Sequence, residues 1–154
     1  MAAVPGDQIG PLMHELVPLV ATLGLDYTDV SAQRAVVVLH DVPEYRNHVG
    51  GPHAAVVFAA GESATGAVAI AVFGDLLDRA VLLPVTVTMD YLSIALGDLT
   101  ATAVIVDDVA VARAEFEAGR RPEFDIVADI TNTAGETTSR LTARCTLKAI
   151  RRTP

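Results

Sequence analysis

The sequence predicts an α+β fold: a curved antiparallel β-sheet wrapped around one long apolar helix, with a shorter helix at the N terminus. Three observations predict it. Twenty consecutive residues, Ala54–Phe73, are almost entirely Ala, Val, Ile, Phe and Gly, and a helix apolar nearly all round must be enclosed. Four later segments alternate apolar and polar residues with period two, as antiparallel strands with one packed and one wet face do. Residues 7–23 carry Ile9, Leu12, Leu16, Leu19, Val20 and Leu23 at helical spacing.

Taken in order, the N-terminal helix ends at Gly24, and Pro11 and Pro18 make it short or kinked. The β-branched runs 25–31 and 34–40, separated by Ala32 and Gln33, fit a hairpin. Residues 41–53 hold two prolines and two adjacent glycines and read as loop. The apolar helix follows over about 53–74. Then come the strands: Val85, Val87, Met89 and Tyr91 on one face; Leu99, Ala101, Ala103 and Ile105; Phe124, Ile126, Ala128 and Ile130; and Leu141, Ala143, Cys145, Leu147 and Ala149. Asn132 to Gly135 form the turn between the last two. Asp108 caps a short helix over 109–118, stopped by Gly119. No linker or repeat divides residues 1–154, which read as one domain.

Composition narrows the function classes. The chain of 154 residues is 51% hydrophobic, only 5% aromatic and without Trp, so its core is built of Ala, Val, Leu and Ile. Eleven basic against nineteen acidic residues give a net charge of −8, which argues against nucleic acid as partner. The charge is uneven: residues 137–154 carry five basic and no acidic groups. The single cysteine, Cys145, excludes an internal disulfide and a CxxC pair. The start lacks a basic segment followed by an apolar run, so a cytoplasmic protein is expected. The apolar stretch is long enough to span a bilayer. Glu62 near its middle would cost roughly 3 kcal/mol or more in lipid, so the expectation is a helix enclosed by protein, with no membrane.

Glu62 is the one charge between His53 and Asp75. A buried carboxylate needs a partner or a reason. It is either a general base or nucleophile whose pKa is raised by desolvation, or an acid satisfied at a helix–helix contact. Just upstream, Gly50-Gly51-Pro52-His53 leads into the helix start, where free N–H groups and the positive dipole end favour developing negative charge on a thioester or ester carbonyl. The same residues could simply reverse the chain. His53 and Glu62 lie about 13 Å apart along a helix, too far for one carbonyl to touch both. If both serve one reaction, Glu62 must act with the helix start of a second copy in a two-fold dimer.

The run Asn47-His48-Val49-Gly50-Gly51-Pro52-His53-Ala54-Ala55, followed by Phe58-Ala59-Ala60-Gly61-Glu62, resembles hotdog-fold thioesterases of the PaaI-like group, and most nearly their bacterial branch of poorly characterised proteins. The acid stands fifteen residues after the Asn, as in that pattern. Tyr91-Leu92-Ser93, Gly97-Asp98-Leu99, Gly119-Arg120-Arg121 with Phe124, and Gly135-Glu136 also fit, over about residues 10–150. The resemblance implies hydrolysis of an acyl-CoA or acyl-carrier thioester across a dimer interface, in a homodimer or dimer of dimers, without cofactor. By position Glu62 is the catalytic acid, Asn47 orients water or substrate, and the backbone N–H near His53 and Ala54 polarises the carbonyl. Gly51, Thr65, Thr86 and Arg121 are expected at the substrate. The sequence departs from the pattern at Ala54, where many relatives have Gly. It departs again at Pro84, where many have the Ser or Thr that holds water, Thr86 being next nearest, and at Gly66, where another branch has Thr.

Other candidates carry less. His48 and His53 are loop histidines. Asp41, His48 and His53 lack metal-ligand spacing, so no metal is expected. Cys145 falls on an apolar strand face and reads as inert core. Arg140, Arg144 and Lys148 share one strand face and suit either the phosphates of CoA or a solvated surface. The alternative function is a hotdog module that binds acyl groups without turnover. An enoyl-CoA hydratase would need an Asp/His arrangement that the apolar helix lacks.

Overall fold

The computed structural model describes residues 4–150. The period-two segments form one six-stranded antiparallel sheet: β1 (Asp26–Val30), β2 (Ala35–Leu39), β3 (Ala80–Tyr91), β4 (Leu99–Ile105), β5 (Glu123–Thr131) and β6 (Thr137–Ala149), in the order β1-β2-β4-β5-β6-β3. The sheet's inner face is set by the alternation. Val37 and Leu39, Leu99, Ala101 and Ala103, Phe124 to Ile130 at every second residue, and Leu141 to Leu147 likewise are all buried. Against that face lies the apolar helix, here α3 (Ala54–Phe73), with Ala60, Ala64, Ala67 and Val68 essentially inaccessible. It has the length and hydropathy of a membrane span but is a core helix, buried along most of its length.

Small residues bring the helix close. A Cβ placed on Gly61 would stand 3.2 Å from Leu141 Cδ1 and 3.3 Å from Ile130 Cδ1, so the backbone itself rests on β5 and β6. At the far end, Arg113 of α4 (Val109–Glu117) donates to the Val72 carbonyl and grips Asp75 through both guanidinium nitrogens. A cation there complements the C-terminal dipole and satisfies an orphan carbonyl. As expected, α4 starts at Asp108, whose carboxylate accepts from the Ala110 and Val111 N–H groups.

The N-terminal helix is two helices, α1 (Gly6–Leu16) and α2 (Pro18–Leu23), broken at an extended Val17 because Pro18 offers no N–H. Gly24 ends α2 in the left-handed region at φ 62°. The break separates side chains that the sequence places on one apolar face: Ile9 and Val20 are buried, whereas Leu16 and Leu19 are more than half exposed.

A second departure concerns β3. It is longer than the alternation suggests and lies at the sheet edge, with a register shift between Pro84 and Thr86 that leaves Val85 as a bulge. Val81, Leu83, Val85 and Tyr91 are therefore exposed rather than packed. On the outer face of the sheet, Arg140 and Arg144 form forked bonds with Asp129 and Asp125, so these two arginines already have carboxylate partners. Arg151 and Arg152 lie outside the described residues.

Two glycines of α3 give opposite expectations. Gly61→Val overpacks the helix–sheet contact and is expected to lower stability by about 1–3 kcal/mol. At Gly66 a Cβ meets Met13 Cε at an ordinary 3.6 Å, so Gly66→Ala is expected to raise it by about 0.5–1 kcal/mol. Urea midpoints at constant slope measure both.

Candidate active site

The loop before α3 is folded by its own polar groups. The Asn47 side-chain oxygen accepts from the Val49 N–H at 2.9 Å, and its amide nitrogen donates to the Pro52 carbonyl at 3.2 Å. The Asn47 N–H donates to the Gly51 carbonyl, and the Gly50 N–H returns to the Asn47 carbonyl. Gly50 holds φ 86°, and a Cβ on Gly51 would collide with the Ala95 carbonyl oxygen, so both glycines are required, for different reasons. Asn47 is thus a loop-positioning residue, and Gly51 is buried under the 92–97 segment rather than presented to a ligand.

At the helix start the backbone donors are used in turn. The His53 ring Nδ1 accepts from the Ala55 N–H, and the His53 carbonyl accepts from Val56 and Val57. Among the described residues, the Ala54 N–H has no acceptor in the chain. Ala54 lines a cavity of about 380 Å³ with Asn47, Val57, Tyr91, Ile94 and Ser139. The Tyr91 hydroxyl donates to the Ala54 carbonyl at 2.9 Å, which ties β3 to this helix end.

Glu62 sits in a different cavity, of about 320 Å³. Leu19, Val20 and Leu23 of α2 form one wall, Ala55, Phe58 and Ala59 of α3 another, and Pro84 and Val87 of β3 a third. No hydrogen bond or ion pair engages the Glu62 carboxylate within the described chain, and burial alone pushes its pKa above the ordinary carboxylate value. Ser63, also lining this cavity, is the polar neighbour of the buried Tyr27 hydroxyl, which makes no well-formed hydrogen bond. Burial first, and the Glu62 charge in addition, push Tyr27 up to about 12. Burial also raises Cys145, to about 11, which leaves it a thiol at neutral pH.

The structure therefore brings Asn47 and Ala54 together and keeps both apart from Glu62 within one chain. Three other residues expected at the substrate lie elsewhere. Thr65 is buried and its hydroxyl donates to the Glu62 carbonyl at 2.7 Å, one helical turn back. The bulge turns Thr86 to the outer face, beside Arg144 and Asp125, and leaves Pro84 and Val87 facing Glu62. Arg121 donates to the Thr146 hydroxyl, also on the outer face. The exposed His53 ring caps its helix. Tyr27 and Ser63 are site neighbours to which the sequence assigns no role, and Tyr91 enters there only through the Tyr91-Leu92-Ser93 motif. Ser63 was signalled by its place beside Glu62, whereas the two tyrosines come from other strands.

Because the folded chain holds the Glu62 proton more tightly than the unfolded chain does, the stability it contributes is fully present below the ordinary value of 4.5. That contribution is lost as pH rises through the raised value. Relative to the native protein, Glu62→Gln is therefore expected to be more stable near pH 7 than at about pH 4, measured as the difference in urea midpoint at the two pH values.

The fold is shared with solved structures of bacterial proteins. A Pseudomonas aeruginosa protein of unknown function, called a "probable thioesterase", is 19% identical with a TM-score of 0.84, over 96% of this chain and 97% of that one. The Escherichia coli PaaI protein of the phenylacetic acid degradation operon is 18% identical at TM-score 0.70, over 96% and 95%. A thioesterase family protein of Silicibacter pomeroyi is 18% identical at TM-score 0.73, over 95% and 100%. No curated protein sequence matches the chain. These likenesses establish the hotdog fold. The family model described as "Domain of unknown function (DUF4442)" matches residues 8–147, and the chain belongs to that family.

Proposed function

We propose that the protein hydrolyses acyl-CoA or acyl-carrier thioesters as a two-fold dimer, each site pairing Glu62 of one protomer with the α3 start of the other. The observation that carries this reading is the partnerless, desolvated carboxylate of Glu62 in an apolar cavity, separated from the unsatisfied Ala54 N–H of its own chain. Eight residues of helix put them about 12 Å apart. One face of α3 stays partly open, through Ala55, Phe58, Ala59, Glu62 and Gly66. A two-fold axis beside Phe58 and Ala59 sets each Glu62 against the partner's helix start, and the small side chains allow close approach. β3 supports the same partner: a twelve-residue edge strand with exposed Val81, Leu83 and Val85 is a surface that another chain covers.

In this arrangement Glu62 removes a proton from water as the water oxygen attacks the thioester carbonyl carbon. The partner's helix-start N–H stabilises the oxyanion. Collapse expels the thiolate, and the proton held by Glu62 returns to sulfur. Direct attack by Glu62, giving an anhydride that water then opens at the Glu62 carbonyl carbon, uses the same groups; a single turnover in 18O-labelled water leaves label in Glu62 by that route, whereas general-base attack puts it in the acid product. The neighbours carrying thioesterase names agree with this chemistry. Pro84 favours the second reading, acyl binding without turnover, because it leaves β3 no hydroxyl facing Glu62 to hold a water.

A thiol-release assay over an acyl-CoA panel tests the proposal. Glu62→Gln is expected to lower the rate by about 10²–10⁴-fold. Mixing it with an inactive Gly51→Ala protein is expected to restore about a quarter of the native rate, since about half the dimers are mixed and each keeps one intact site. A site built within one chain would recover nothing. Retained acyl-CoA without turnover would identify the binding module instead.

A further inference from the structure

Resting on the thioester-hydrolase reading, we propose that α2 is the wall that selects the acyl group, and that the group is apolar, unsubstituted and limited in length. The cavity beside Glu62 holds about 320 Å³. Its lining contains no amide, guanidinium or ammonium group, and its polar side chains are Glu62 and Ser63. A carbonyl held at Glu62 therefore sends its chain among Leu19, Leu23, Phe58 and Val87, where a second carboxylate would be buried without a cationic partner and beside the Glu62 charge. Dicarboxylic acyl groups are excluded for that reason.

The wall is a separate, tethered element. Pro18 starts α2 and Gly24 ends it, Val20 anchors it in the core, and the Tyr45 hydroxyl donates to the Thr22 carbonyl at 2.8 Å. Tyr45 also accepts, through its carbonyl, the His53 N–H, so the acyl wall and the α3 start hang on one residue. Leu19 is 57% exposed while lining the cavity, which places it at the mouth, whereas half-buried Leu23 lies deeper. Enlarging Leu23 and shrinking Leu19 therefore have opposite expected effects on the chain length that fits.

The test measures kcat/KM from acetyl- to palmitoyl-CoA, with binding of the matching S-alkyl-CoA thioethers, which cannot be hydrolysed. In the native protein both profiles should rise with chain length and fall about tenfold or more once the cavity is full. Leu23→Trp should move the fall to shorter chains and Leu19→Ala to longer ones, and glutaryl-CoA should be rejected by the native protein. Length profiles unmoved in both folded variants, judged by unchanged Tm, overturn the proposal even if hydrolysis is robust. Absent hydrolysis with thioether binding that α2 variants shift in length overturns the hydrolase reading and leaves the wall standing. Absence of both overturns both.

Discussion

The fold depends on one requirement, that a helix without a polar face be enclosed. An isolated amphipathic helix can leave one side in water; α3 cannot, because apolar residues occupy nearly every turn. The enclosing sheet meets that need through small residues on both partners. Gly61 lets the helix backbone rest on Leu141 and Ile130, and Ala101, Ala103, Ala128 and Ala143 keep the facing strands shallow. Large groups are few, as with Phe73 tilted against Phe124 at 4.8 Å between centroids.

Ion pairs are kept to the perimeter, where they fix ends rather than supply core stability. Arg113 closes the last turn of α3, Arg79 pairs with Glu117 beside it, and the Asp41–Arg46 fork braces the loop that leads into the first turn. Exposed pairs of this kind contribute little individually. Their value is geometric, since they hold both helix ends while the interior stays free of charge. Against that background the unpaired, largely buried carboxylate of Glu62 is the exception among the described residues, and the apolar enclosure that stabilises the fold is also what raises its proton affinity.

Much of this was legible in the sequence. The strands β4, β5 and β6 were written in strict alternation, because central strands have one buried face along their whole length. The Asp108 cap and the Asn132–Gly135 turn follow from local chemistry and needed no tertiary context. The edge strand β3 was not fully legible, since exposure at a sheet margin is a property of neighbours, and neither was the bulge that sends Thr86 outward while Pro84 faces Glu62. Thr65 looked available beside Glu62, but its hydroxyl is spent on the helix backbone. The separation of Glu62 from the loop was predictable from helical rise alone, whereas the contribution of α2 to its cavity required the fold.

The absence of Trp gives the chain an unusual optical property. Its three tyrosines are Tyr27, Tyr45 and Tyr91. Tyr27 is buried beside Ser63, within reach of the Glu62 charge; Tyr45 is bonded to α2 and Tyr91 to the first residue of α3. Every strong near-ultraviolet chromophore in the molecule therefore borders one of the two cavities or is bonded to a wall of one. The intrinsic fluorescence and near-ultraviolet dichroism of the unlabelled protein report local changes around these cavities, free of background from indole elsewhere in the chain.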